Sequence, residues 1–166
     1  MENQALSNLL NEDREFPPSP EFAANANVGA ELYDQARQDR LKFWDAQAQA
    51  LDWDTRYTEV LDWSNAPFAK WFVGGKLNVA YNCVERHVIA GHGDQVAIRF
   101  EGEPGDRIDL TYEDLRREVS KAANALEALG VTAGDRVAIY LPMIPEAIIA
   151  MLACARIGAV HSVVFA

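Results

Sequence analysis

The Gly74-Gly75-Lys76 triplet is the first place where this sequence could do chemistry, because glycine-rich loops that end in a lysine bind phosphates. In such a loop another glycine lies about four residues before the pair, and a Ser or Thr follows the lysine. Both are missing here. We therefore predict a turn with a solvated lysine, with a phosphate site as the minor alternative.

Cys83, His87 and His92 could supply three metal ligands, since the first two lie one helical turn apart on a predicted helix. No fourth ligand and no paired spacing accompanies them. The alternative, which we favour, is that Cys83, with or without His87, faces the protein core.

The His161-Ser162 pair invites comparison with a catalytic base and nucleophile, but both residues fall inside a predicted strand. Neighbouring side chains on a strand point to opposite faces, so a catalytic pairing between them is geometrically awkward. We interpret the pair as structural.

Four aromatic residues could stack on a nucleotide base: Trp53, Trp63, Trp71 and Phe72. They lie in segments with no clear periodicity. We favour loops whose rings pack onto the rest of the protein, because a tryptophan buries roughly 200 Å² wherever it docks.

Other short catalytic motifs do not occur in the sequence. It contains no Walker A motif, dinucleotide-binding glycine motif, nucleophile elbow or HExxH sequence, which argues against catalysis by this stretch alone. A net charge of −10 argues against nonspecific nucleic-acid binding. The N-terminus is acidic, no apolar run is long enough for a membrane span, and two cysteines are too few for a disulfide framework. We expect a cytoplasmic protein with no membrane partner.

The elements that would position these residues centre on a strand–helix–strand unit near the end of the sequence. Arg136 to Leu141 predicts a buried strand, Pro145 begins a helix that Gly158 ends, and Ala159 to Phe165 predicts a second strand. The 17 residues from Pro142 to Gly158 are enough for a crossover between parallel strands. In such α/β sheets ligands bind beyond the carboxyl ends of the strands.

Two helices and a hairpin precede this unit. Asn78 predicts the cap of a helix that ends at Gly91, Val96 to Phe100 pairs with Arg107 to Leu110 in an antiparallel hairpin, and Thr111 caps a further helix that stops at Gly130. The predicted inner faces are Val79, Cys83, Val84, His87 and Val88 on the first helix, and Leu115, Val119, Ala122, Leu126 and Leu129 on the second.

The first part of the chain is predicted to be an extended arm over residues 1–22, followed by one helix with an aromatic face. That face comprises Leu32, Tyr33, Ala36, Arg40, Phe43 and Trp44. The fold class is therefore α/β: a helical and aromatic-loop N-terminal arm, a β-hairpin, and a βαβ unit of a parallel sheet.

Three stretches occur in order along the chain: FPPSPEFAANANV from Phe16, VLDWSNAPFAKWFVGGKLNVAYNCVERHV from Val60, and DRVAIYLPMIPEAIIAMLACARIGAVHSVVF from Asp135. Together they resemble the amino-terminal region of the AMP-forming acetyl-coenzyme A synthetases, which are adenylate-forming ligases. The resemblance divides the chain into the arm (1–22), the helical N-terminal region of these enzymes (23–92) and a truncated start of their AMP-binding domain (93–166). It covers about the first quarter of such an enzyme.

The resemblance implies a parent enzyme that joins acetate to ATP as acetyl-adenylate, with Mg²⁺, and passes the acetyl group to coenzyme A. The family uses two domains that rotate between the half-reactions. Its phosphate loop, its acetate pocket and its catalytic lysine do not appear in this sequence, so we assign no catalytic or metal-binding residue and expect the chain alone to be inactive. Phe165 and Ala166 are the residues that the resemblance brings near the coenzyme A nucleotide.

Two classes of function follow: part of an acetyl-coenzyme A synthetase, or a separate interaction module. A reading frame that continues past Ala166 into a glycine-rich phosphate loop would favour the first. Because the last strand belongs inside a parallel sheet, we also expect the chain alone to self-associate.

Overall fold

The computed structural model describes residues 15–165, with side chains described as far as Val164. The chain forms two units that divide between Phe43 and Trp44.

The first unit is helical in its described part. Helix α1 spans Pro20–Ala24 and begins after Ser19, whose hydroxyl accepts a hydrogen bond from the Phe22 N–H at 3.2 Å. Helix α2 spans Glu31–Gln38 and has no buried residue. The arm predicted over residues 1–22 lies largely outside the described residues, and α1 begins within its last three positions.

The prediction of one aromatic-faced helix over residues 32–44 is wrong. Helix α2 is followed by a separate helix α3, Arg40–Ala48, because Asp39 between them is extended, with φ −151° and ψ 92°. The Asp39 carboxylate accepts the Lys42 N–H at 2.9 Å. Aspartate is a strong N-cap, so it starts a new helix where apolar periodicity alone predicts continuation.

The aromatic region contains a short antiparallel pair of strands. Strand β1 spans Glu59–Asp62 and β2 spans Lys70–Val73, with Leu61 opposite Trp71. The prediction of loops is therefore wrong for Trp71 and Phe72, which lie on β2. Strands of four residues are too short for alternation to be visible in the sequence.

The next helical segment, residues 79–92, contains two π-helical turns. They span Tyr81–Glu85 and Val88–His92. The predicted cap is confirmed, because the Asn78 Oδ1 accepts the Tyr81 N–H at 3.1 Å.

The predicted inner face of this segment is partly wrong. Val84 is fully buried, but Cys83 is exposed and Val79 is 52% exposed, while Ala80 is fully buried instead. A π turn has a wider spacing than an α turn, so side chains rotate away from the faces that a period of 3.6 predicts.

The hairpin is confirmed as β3, Val96–Glu101, paired antiparallel with β4, Arg107–Thr111. Its exposed face carries an ion pair in which Arg99 Nε donates to Asp109 Oδ1 at 3.0 Å.

Helix α4 spans Tyr112–Ala128 and begins with the predicted capping box. The Thr111 hydroxyl accepts the Asp114 N–H at 3.1 Å, and the Asp114 carboxylate accepts the Thr111 N–H at 3.1 Å. Leu115 is buried as predicted, but Leu129 is 82% exposed because it lies past the last turn, at the C-cap.

The predicted glycine stop of α4 is confirmed. Gly130 has φ +89°, and the Val131 N–H donates to the Leu126 carbonyl at 3.0 Å. This is the bond pattern of a helix that closes through a left-handed glycine.

The βαβ unit is also confirmed. Strand β5 spans Arg136–Leu141, helix α5 spans Pro145–Ile157, and strand β6 spans Val160–Phe165. The two strands are parallel, and α5 ends at Gly158 in the left-handed region.

Two buried clusters hold this second unit together. The first joins the helical segment, the hairpin, α4 and α5 through Val84, Leu115 and Val119, with Ala97, Ile98, Ile149 and Leu152 packed against them. The second lies between β5, α4 and α5 and comprises Ile139, Cys154 and Ala159, with Leu126, Val131, Val137, Leu141, Ala150, Met151 and Ile157 around them.

Candidate functional site

The candidate site is the edge of the sheet where β5 and β6 end, because ligands of α/β proteins bind at the carboxyl ends of parallel strands. Leu141 is paired with Phe165 at this edge. Burial alternates along β5: Ile139 is buried against the helices, and Tyr140 is 69% exposed on the opposite face. Pro145, buried in the first turn of α5, fixes the start of the helix at the same edge.

The edge is apolar and carries little charge. Residues 141–147 read LPMIPEA, of which only Glu146 is charged, and Met143 is 83% exposed. Coenzyme A and ATP carry phosphates that need positive groups. These residues fit an apolar or backbone contact to a ligand, and they provide no positive side chain for a phosphate.

Phe165 is the last residue of β6 and lies at this edge. Its side chain and the whole of Ala166 lie outside the described residues. Their assignment to a nucleotide therefore stays a prediction.

The glycine pair before Lys76 forms a turn, as predicted. Gly74 has φ +74°, and the Lys76 backbone forms a bridge with Thr55, whose carbonyl accepts the Lys76 N–H at 2.9 Å. Lys76 is exposed. A Cβ at Gly75 would lie 2.6 Å from the Trp53 ring, so the glycine here allows an aromatic ring to lie against the backbone.

The structure does not bring Cys83, His87 and His92 together as metal ligands. The His87 ring lies 4.9 Å from the Tyr112 ring, and the His92 Nδ1 lies 3.1 Å from the Gln95 Nε2. Within residues 15–165 no group of three His, Cys, Asp or Glu side chains could hold a metal ion.

His161 and Ser162 lie on opposite faces of β6. They pair in register with Val137 and Ala138, which alternate in the same way on β5. The strand therefore keeps the two side chains apart.

The predicted packing of the rings is confirmed for Trp53, Trp71 and Phe72, although the last two lie on a strand and not in a loop. The Trp53 ring centroid lies 5.7 Å from that of Phe72, and those of Trp71 and Phe72 lie 6.0 Å apart. Trp63 is 52% exposed. The Trp53 indole also donates to the Ala48 carbonyl at 2.8 Å.

Sequence reasoning missed Tyr57 and Asp45 in this cluster. Tyr57 lies 5.1 Å from Trp53 between ring centroids and donates its hydroxyl to the Asp45 carboxylate. That hydrogen bond holds the pKa of Asp45 below its ordinary value. The pKa of Tyr57 is raised, mainly because its hydroxyl is partly buried and, second, because of the bond to Asp45. The Arg56 guanidinium lies 4.3 Å over the Tyr57 ring.

Two amides were also missed as organising residues. Asn82, only 8% exposed, accepts the Asp52 N–H and donates to the Asp52 carbonyl, both at 2.9 Å. Asn78 reaches the end of α5, where its Nδ2 donates to the Arg156 carbonyl at 3.0 Å. The preference of asparagine for helix caps identifies Asn78 in the sequence. Nothing in the neighbouring residues indicates that Asn78 also bonds to Arg156, or that Asn82 bonds to Asp52.

Comparisons with known proteins agree along the chain. Residues 30–83 match the family model for the acetyl-coenzyme A synthetase N-terminus, and residues 84–166 match the model for AMP-binding enzymes.

Curated relatives are similar over nearly the whole chain. An acetyl-coenzyme A synthetase of Streptomyces avermitilis is 70% identical over 165 residues, which is 99% of this chain and 25% of that protein. An acetyl-coenzyme A synthetase of Mycobacterium tuberculosis is 72% identical over 151 residues, 90% of this chain and 23% of that protein. This chain spans about a quarter of the length of these relatives.

A solved structure shares the fold. Acetoacetyl-CoA synthetase from Streptomyces lividans superposes with a TM-score of 0.73 at 32% identity, over 87% of this chain and 23% of that one.

Proposed function

Since this chain belongs to the acetyl-coenzyme A synthetase family of AMP-binding enzymes, we propose that it is the amino-terminal part of an acetate–CoA ligase. The observation that carries the proposal is 70% identity over 165 residues to an acetyl-coenzyme A synthetase. In the proposed reaction an acetate oxygen attacks the α-phosphorus of ATP and pyrophosphate leaves. The coenzyme A sulfur then attacks the acetyl carbonyl carbon, and AMP leaves.

The contribution of residues 15–165 to this reaction is structural. The two buried clusters hold β5, α5 and the start of β6 together, and they thereby position the carboxyl ends of the two strands. We propose that this edge contacts the coenzyme A nucleotide through Phe165 and Ala166. We propose that the phosphates and Mg²⁺ are bound by other residues of the enzyme, since residues 141–147 offer no positive side chain for a phosphate.

A chimera tests the proposal directly. Residues 1–166 would replace the matching segment of the Streptomyces avermitilis enzyme, and acetate-dependent exchange of pyrophosphate into ATP would be measured. We expect exchange within about tenfold of the unaltered enzyme, since a 1.4 kcal/mol change in the barrier corresponds to that factor. A chimera that is folded but exchanges no pyrophosphate would contradict the proposal.

Two matched controls complete the experiment. The Streptomyces avermitilis enzyme without that segment should lose exchange, and residues 1–166 alone should show none. Preorganised charges that stabilise the transferring adenylyl group and the leaving pyrophosphate supply much of the rate, and we assign none of them to residues 1–166. Acetate-dependent exchange by residues 1–166 above a blank would show catalytic groups that we do not assign.

We further propose that residues 1–166 self-associate as an isolated chain. Among the described strands β6 pairs only with β5, and its exposed apolar residues include Val160, Val163 and Val164 at 58%, 49% and 47%. Strands of parallel sheets are normally covered on both faces, and no charge or proline protects this edge. Light scattering should detect oligomers, which Val164→Lys should reduce. A monodisperse monomer at high concentration would contradict this proposal.

We propose small-molecule substrates because the family binds AMP, and no nucleic-acid partner because a net charge of −10 disfavours nonspecific nucleic-acid binding. We also propose a cytoplasmic location, supported by two unpaired cysteines, Cys83 and Cys154. Within the described part of the chain, no helix has the length and apolar character needed to span a membrane.

A further inference from the structure

One side chain, Asn78, bonds to the ends of two helices. Its Oδ1 accepts the Tyr81 N–H at 3.1 Å, at the start of the segment 79–92. Its Nδ2 donates to the carbonyls of Arg156 at 3.0 Å and Ala155 at 3.4 Å, in the last turn of α5. The N–H groups at the start of a helix and the carbonyls at its end lack partners within the helix, so one amide satisfies both kinds of group.

An ion pair joins the same two elements. The Glu85 side chain, on the segment 79–92, is 14% exposed, and its carboxylate pairs with the Arg156 guanidinium. Both Glu85 carboxylate oxygens are buried, so the charge depends on this partner. The end of α5 is therefore attached to the segment by its backbone and by a side chain.

The end of α5 in turn fixes the start of β6. Gly158 follows α5 directly, and its carbonyl accepts the Gly134 N–H at 2.9 Å. The Ala159 N–H bonds back to the Cys154 carbonyl at 2.9 Å, and the Val160 N–H donates to the Asp135 carbonyl at 2.8 Å. A displacement of the last turn of α5 would thus move β6 relative to β5.

We propose that Asn78 is a positioning residue that sets the placement of β6, and with it the edge where Phe165 lies. Asn78 belongs to the stretch that matches the acetyl-coenzyme A synthetase N-terminus, and Arg156 to the stretch that matches AMP-binding enzymes. The hydrogen bond from the Asn78 amide to the Arg156 carbonyl thus joins the first stretch to the second. The link to a ligand rests on the proposed function, but the mechanical link between Asn78 and β6 does not.

Asn78→Asp separates the two bonds of the side chain. Aspartate keeps an acceptor for the Tyr81 N–H and is a good N-cap, so the segment 79–92 should still begin in the same place. It has no donor for the α5 carbonyls, and its negative charge at the end of a helix is unfavourable. The variant should therefore release α5 while it retains the cap.

Residue-resolved hydrogen exchange on the 166-residue chain tests the proposal. In Asn78→Asp, the amides of Gly134, Ala159 and Val160 should exchange about tenfold faster or more, as expected when a local element opens more readily. The Val131 amide should change little, because it closes the same kind of glycine stop at the end of α4. The Phe165 amide resonance should shift. A uniform increase at all amides, or no increase at the first three, would overturn the proposal.

Asn82→Asp is the matched control, since it removes an amide donor one turn further along the same segment. Asn82 bonds to the backbone of Asp52, its Nδ2 also donates to the Asn78 backbone carbonyl at 3.1 Å, and its Oδ1 accepts from Arg86 at 3.2 Å, but no bond of its side chain reaches α5. Asn82→Asp should therefore loosen the loop around residue 52 and leave the β6 amides unchanged. Equal acceleration at β6 in this control would also overturn the proposal. If Asn78→Asp does not fold, Asn78→Ser takes its place with the same selective increase expected, because serine is also a good N-cap and has no amide to reach the α5 carbonyls. Pyrophosphate exchange by the chimera reports on the proposed function separately.

Discussion

Replacing Leu115 by Ala should destabilise the second unit by about 3 kcal/mol, the middle of the usual range for a buried leucine. Leu115 is 4% exposed and lies in the cluster that joins α4 to the segment 79–92, the hairpin and α5. Removing its side chain forfeits burial of three carbon groups and leaves a cavity between four elements that cannot all move inward together.

Leu129→Ala is the matched control, because it is the same substitution at the end of the same helix. Leu129 is 82% exposed, so its loss should change stability by less than about 0.5 kcal/mol. Sequence periodicity assigns both leucines to one face. The two variants therefore test whether the burial seen in the structure, or the helical periodicity of the sequence, predicts the loss of stability.

Urea unfolding followed by far-ultraviolet circular dichroism gives the free energies, and a thermal scan should show a fall in Tm of about 10 °C for Leu115→Ala. A difference of less than about 1 kcal/mol between the two variants would contradict the burial of Leu115 in this cluster, since the experimental error of such differences is smaller than that. A larger loss of stability in Leu129→Ala than in Leu115→Ala would contradict it as well.

Coenzyme A at about 1 mM should shift Tm by less than a degree, because residues 141–147 offer no positive side chain for its phosphates. A ligand at ten times its dissociation constant would add about 1.4 kcal/mol and would shift Tm by several degrees. A shift of several degrees that Phe165→Ala abolishes would show a working nucleotide contact in this chain. The hydrogen bonds from Thr111 hold the pKa of Asp114 below its ordinary value, so its stabilisation is present above about pH 4 and disappears as the pH falls through the lowered pKa. The deficit of Asp114→Asn relative to the unaltered protein should therefore shrink in acid, and a deficit equal at neutral and acid pH would contradict this. Gly75→Ala places a Cβ 2.6 Å from an indole carbon and should cost about 1–3 kcal/mol. Gly93→Ala, with neighbours at 3.7 Å, should cost less, and urea unfolding compares the two.

The βαβ unit could be predicted from the sequence because its boundaries are local. Pro145 and Gly158 act through their own backbone preferences, and β5 and α5 begin and end where these signals lie. The capping box at Thr111 and the cap at Asn78 were predictable for the same reason.

The faces of the segment 79–92 could not be predicted in this way. The π turns change the angular spacing, so Cys83 points outward although it fits an apolar helical pattern. The break at Asp39 was also missed. The apolar periodicity on both sides predicts one helix, but the Asp39 side chain caps a second helix.

The candidate site was predictable only in outline. The carboxyl edge of β5 and β6 follows from the order of elements, but the bond from Asn78 to Arg156 spans 78 positions and leaves no trace in local composition. The same holds for Tyr57 and Asp45, whose bond depends on how the aromatic rings pack.

The aromatic cluster has an optical consequence. All four tryptophans lie between residues 44 and 71, and none lies in the hairpin, in α4 or in the βαβ unit. Tryptophan emission therefore reports on one end of the second unit, while far-ultraviolet ellipticity is dominated by the helices of the other. Asn78 and Glu85 lie between these regions in the sequence and bond to α5. The wild-type chain should show coincident emission and ellipticity transitions, and the two should separate when those bonds are removed.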